Sequence, residues 1–76
     1  MGFQHGDIIV MAVAKHYAIG RMTTDGVTQE HLTSEKDLAA ALARACSLAG
    51  AVHRVFLYKW AGSGTFERVN CNAVVP

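Results

Sequence analysis

The stretch Val55–Asn70, VFLYKWAGSGTFERVN, decides how the rest of this 76-residue chain is read. Its first six residues alternate like a strand, so that Phe56, Tyr58 and Trp60 share one side and Val55, Leu57 and Lys59 the other. Both sides are largely apolar. Gly62-Ser63 has the composition of a type II′ hairpin turn, with glycine at the first central position. A turn centred there pairs Phe56 with Val69, Tyr58 with Glu67 and Trp60 with Thr65. One face then carries Phe56, Tyr58, Trp60 and Val69. The other carries Val55, Leu57 and Phe66, with Lys59 and Arg68 among them.

Upstream lies the clearest helical signal, LTSEKDLAAALARACSLAG. Ser34 is placed to cap the helix start, with Asp37 completing a capping box, and Gly50 supplies a left-handed stop. Leu38, Ala41, Leu42, Ala45 and Ala49, with Cys46 and Leu48 at the edges, form one apolar stripe at helical period. Because the stripe is mostly alanine, large side chains are expected opposite it. The aromatic face of Phe56, Tyr58 and Trp60 is therefore assigned to the core, which leaves Val55, Leu57, Phe66, Lys59 and Arg68 uncovered together with Met22 and Val27.

Further back, Asp25-Gly26 reads as a type I′ hairpin turn. It pairs Ile19 with Leu32, Arg21 with Glu30 and Thr23 with Thr28, an aliphatic pair and an opposite-charge pair on one face. The β-branched run IIVMAVA, Ile8–Ala14, has strand character, with a break or bulge expected between Ala14 and His16. Residues 1–6 are expected to be flexible. The fold class is thus α+β: a β-β-α-β-β order, a four-stranded and mainly antiparallel sheet, one helix packed on one face, and a possible extra N-terminal strand.

Length and composition bound the rest. The chain reads as a single small domain over residues 1–76, and apolar residues make up 51% of it, more than so small a body hides easily. Seven basic residues against six acidic ones give a net charge of +1, which argues against a strongly basic nucleic-acid platform. Asp7 ahead of IIVMAVA does not suit a signal peptide, and the run is too short to span a bilayer. Cys46 and Cys71 read as two free thiols in a reducing compartment, so a cytoplasmic location without membrane contact is expected.

No catalytic pattern emerges. The four histidines, His5, His16, His31 and His53, are scattered without ligand spacing, so neither a metal nor another cofactor is expected. Cys46 sits beside the apolar stripe rather than a base. GSGT, Gly62–Thr65, is followed by a strand and not the helix a phosphate loop requires. Glu35 and Asp37 serve the helix start, and Glu30 faces Arg21. The chain is read as a non-enzyme.

The succession HYAIGRMTTDGVTQEHL, SEKDLAAALARACSLAG, VHRVFLYKW, turn, FERVN resembles a group of very small β-β-α-β-β proteins, which includes uncharacterised bacterial domains and phage-encoded anti-CRISPR inhibitors. The resemblance is carried by element order, the Asp-Gly turn and the alanine-rich helix after Ala14, and matches no functional residue individually. It implies a non-enzymatic protein that occupies a surface of a larger ribonucleoprotein complex. The function expected is accordingly a non-catalytic protein-interaction module, an inhibitor or regulator, binding through Arg54, Leu57, Lys59, Phe66 and Arg68. A homodimer through the same face is its near relative. The alternative is a sheet-based nucleic-acid binder, in which Lys15 and Arg21 join Arg54, Lys59 and Arg68 beside Phe66.

Overall fold

The computed structural model describes residues 3–24, 29–60 and 64–73, with the Trp60 side chain left out. Five strands and one helix follow in the order β1 (Ile8–Val13), β2 (His16–Met22), β3 (Gln29–Glu35), α1 (Leu38–Ala49), β4 (Val55–Trp60) and β5 (Gly64–Arg68), closed by a 3-10 turn at Cys71–Ala73. The sheet order is β3-β2-β1-β4-β5. The class is α+β with one helix on a mixed, five-stranded sheet.

The N-terminal strand is no appendage. β1 lies at the centre, antiparallel to β2 and parallel to β4 through the pairs Ile8–Val55, Ile9–Phe56 and Val10–Leu57. A central strand is covered on both faces, which is why Ile8, Ile9 and Val10 run on without alternation and are at most 1% exposed. The expected break at Ala14 is a tight turn: Val13 pairs with His16, and Ala14 takes a left-handed φ of 55°.

The β2–β3 register agrees with expectation at Arg21–Glu30, whose side chains meet at 3.3 Å. It departs at Ile19, which pairs with Thr33 because the register shifts between Ile19 and Gly20. Leu32 then stands opposite no single residue and packs toward the helix instead. The turn residues themselves, with Val27 and Thr28, lie outside the described residues.

Helix α1 is capped by Asp37, not Ser34: the Asp37 carboxylate accepts the Ala40 N–H at 2.8 Å, while Ser34 belongs to β3. Strand pairing holds Ser34 opposite Ala18 and so removes it from the helix start. Gly50 ends the helix at φ 63°, and its N–H reaches the Cys46 carbonyl. Ala41, Ala45 and Ala49 are the buried face, while Leu38 and Leu48 are partly exposed at its margins.

The side of the sheet under the helix is the reverse of that expected. Ile8, Val10, Ile19 and Val55 pack against the three alanines, with Tyr17, Leu32, Leu57 and Val69 around them. Alanines let the helix approach closely, so branched aliphatic side chains rather than a row of aromatic rings fill most of the space. Phe56 lies on the opposite face, with Ile9 and Met22, beneath Phe3, Met11 and Phe66.

Nor are the two cysteines free. Cys46 and Cys71 form a disulfide, with Cα atoms 5.6 Å apart. The bridge joins the edge of the helix to the turn that follows β5, and it removes the ground for expecting a reducing compartment. Among the described residues no helix is long and apolar enough to cross a membrane.

Candidate binding face

The candidate site is the face of the sheet turned away from α1. On β4 and the residue before it, Arg54, Phe56 and Tyr58 share that side by strict alternation. On β5 the matching residues are Phe66 and Arg68, paired with Tyr58 and Phe56 respectively. Trp60 pairs with Gly64, so the link between the strands is three residues long rather than two. That single added residue turns β5 over relative to the expected register: Phe66 faces Tyr58, and Glu67 faces Leu57. The link, residues 61–63, is outside the described residues.

The Phe56 ring is the hub. Phe3 meets it edge-on at 5.2 Å between centroids and meets Phe66 edge-on at 4.8 Å. Tyr58 and Phe66 lie 5.0 Å apart in a tilted pair. The guanidinium carbons of Arg54 and Arg68 stand 5.1 and 6.0 Å from the Phe56 centroid. Gly64 makes room at the far end, since a Cβ there would meet the Tyr58 ring at 2.8 Å. Phe56 is almost fully buried beneath these groups, whereas Phe3, Tyr58 and Phe66 are half-buried and Arg68 is exposed.

Phe3 reaches this face because residues 3–6, part of the segment expected to be flexible, have defined contacts, while residues 1–2 lie outside the described residues. The Gly6 N–H donates to the Met22 carbonyl at 3.0 Å, the Met22 N–H to the Asp7 carbonyl at 2.8 Å, and the Gln4 N–H to the Asp7 carboxylate at 2.8 Å. Asp7 is only 1% exposed. Arg54 grips its carboxylate with two donors, Nε at 3.1 Å and Nη2 at 2.6 Å. Burial by itself would raise the Asp7 pKa. The hydrogen bonds from Arg54 and Gln4 and the attraction of Arg54 and His53 outweigh it, holding the carboxyl below its ordinary value. The same hydrogen bond raises Arg54 above its ordinary value, against a smaller desolvation effect.

Of the five residues expected to bind, the structure brings together Arg54, Phe66 and Arg68. Leu57 is excluded, because its side chain packs with the helix cluster. Lys59 shares Leu57's side of β4 and pairs with Glu67 at 3.0 Å, so it does not join the arginines. Sequence reasoning missed Phe3 and Tyr58, the first by reading its segment as loose, the second by assigning it to the helix side. Arg68 is the informative cation of this face: among the described residues no carboxylate lies within ion-pair distance of it. The described residues also hold no group of three His, Cys, Asp or Glu side chains placed for a metal ion.

Comparison with known proteins gives no match: no family model, no curated protein and no solved structure is significantly similar to this chain.

Proposed function

We propose that the chain is a non-catalytic protein-interaction module, an inhibitor or regulator that sits on a surface of a larger complex, and that it binds through the helix-free sheet face. The observation that carries the reading is the juxtaposition of half-buried Tyr58 and Phe66 with exposed Arg68 on the face that α1 does not cover. Rings of this kind supply apolar contact area at little rotamer cost, and an arginine beside them orients a partner that offers a carboxylate. Arg54, locked to Asp7, forms the rigid margin of the patch.

The working environment goes with this reading. The Cys46–Cys71 bridge supports a compartment in which disulfides persist, in place of the cytoplasm expected from two free thiols. A thiol count on protein isolated from its own source checks this: two titratable thiols would return the cytoplasmic location.

The test of the binding face is affinity capture from native extract with wild type, Phe66→Ser/Arg68→Glu and Lys59→Glu. The double variant is expected to lose the captured protein while Lys59→Glu keeps it. Loss in both, or in neither, moves the contact elsewhere. A second reading rests on the same rings and guanidinium groups, which also suit stacking of single-stranded bases. It predicts nuclease-sensitive capture and affinity that falls steeply with salt. Light scattering distinguishes a twofold self-association through the same face.

A further inference from the structure

Beside the aromatic patch, the chain leaving α1 and the chain leaving β5 diverge to form an open cleft of about 510 Å³. Its walls include Gly50, His53, Arg54, Arg68, Asn70 and Asn72, and no aspartate or glutamate is among the described residues that line it. One acidic group stands behind the wall: Asp7, buried and held by Arg54. That carboxylate balances Arg54, whereas Arg68 has no carboxylate within ion-pair distance among the described residues. Both guanidinium groups stand against the Phe56 ring, their carbons 5.1 and 6.0 Å from its centroid. An anion is favoured beside Arg68, because it pairs with a guanidinium that has no carboxylate within ion-pair distance among the described residues.

The neutral walls suit the same ligand. Asn70 Oδ1 accepts the Asn72 N–H at 3.1 Å, which turns the chain at the rim and commits the carboxamide oxygen, leaving the Asn70 amide nitrogen as the donor end. Cys71, bridged to Cys46, fixes this rim to α1. One effect opposes an anion, namely the partial negative charge at the C-terminal end of α1 near Gly50. It is muted here, since the Cys46 and Ala49 carbonyls already accept the Gly50 and His53 amides at 3.1 and 3.3 Å.

We propose that this cleft binds a small oxyanion, a phosphate or carboxylate group, against the Arg68 guanidinium with Asn70 and His53 at its sides. The site goes beyond the partner-binding reading and does not depend on it, because it is probed with ions alone. The experiment is a nuclear magnetic resonance titration of the intact, oxidised protein with inorganic phosphate, and separately with acetate, each against sodium chloride at matched ionic strength. Phosphate is expected to shift the amides of residues 50–54 and 68–72 to saturation. Arg68→Gln is expected to weaken that binding about tenfold, the effect of one charge-assisted contact, while Lys59→Gln leaves it unchanged. Acetate acting on the same amides marks a reader of either oxyanion; a response to phosphate alone marks preference for the more highly charged one. Shifts no larger than those given by chloride, or equal affinity in Arg68→Gln, overturn the proposal.

Discussion

The two faces of this sheet solve the same burial problem with different materials. Under α1, three alanines meet Ile8, Val10, Ile19 and Val55, all at most 3% exposed, in a layer of short and branched side chains. On the opposite face the described residues place no helix. Ile9, Met22 and Phe56 are at most 5% exposed, but their cover is a ring from the N-terminal segment, Phe3, with Met11 and Phe66. Thin side chains bring a regular element close, whereas thick ones let a few residues of irregular chain close a surface that a helix would otherwise have to cover. The second solution leaves aromatic edges partly in water and guanidinium groups over them, which is why the candidate site lies there.

The largest test of that comparison sets Ile8→Ala beside Ile9→Ala. Both side chains are at most 1% exposed, on opposite faces, and each truncation is expected to cost about 3 kcal/mol in chemical denaturation. A loss under about 1 kcal/mol for Ile9→Ala alone would show that the helix-free face is no true core.

Next comes the clasp that holds the N-terminal segment. Asp7→Asn keeps the shape but removes the charge that Arg54 grips, and is expected to cost about 2 kcal/mol. The sign with pH follows from the depressed Asp7 pKa: the wild-type advantage is complete above the ordinary carboxylate value, near pH 4, and fades as pH falls through the lower folded-state value. Denaturation curves for the two proteins should therefore converge in strong acid. A gap between them that stays constant down to pH 2 would show that the carboxylate charge is not what matters.

The smallest effect belongs to the cover itself. Phe3→Ala removes a half-exposed ring with two edge-on contacts and is expected to cost about 1.5 kcal/mol, with increased binding of an apolar dye to the opened face. Unchanged dye binding would mean that Phe3 shields little.

Much of the architecture could be read before any coordinates. The helix stop at Gly50, the Arg21–Glu30 pair, the strand character of both hairpins and a single helix packed on one face all follow from local chemistry. What could not be read is non-local. In Val55–Trp60 both alternating sides are apolar, so periodicity establishes a strand without saying which side meets the helix. Whether the turn before β5 holds two residues or three decides the side on which Phe66 falls, and glycine with serine permits either. The parallel pairing of Ile8–Val10 with Val55–Leu57 and the Cys46–Cys71 bridge join segments far apart in sequence, where no spacing rule applies. A signal for the first was present all the same: Ile8, Ile9 and Val10 do not alternate, as a strand covered on both faces should not. Of the site, Arg54, Phe66 and Arg68 were legible as a basic and aromatic set, but the ring that unites them, Phe56, was assigned to the wrong side.

The position of β1 also bears on how the chain is made. Preceding all of its partners in the chain, it gains β2 almost at once, yet its other edge waits for Val55–Leu57 while β3 and α1 are still being synthesised. During that interval the most apolar strand of the nascent protein offers an open row of peptide groups to any passing chain. The quick closure of β1 on β2 at Ala14 and Lys15 confines that hazard to one side, until the last hairpin arrives to seal it.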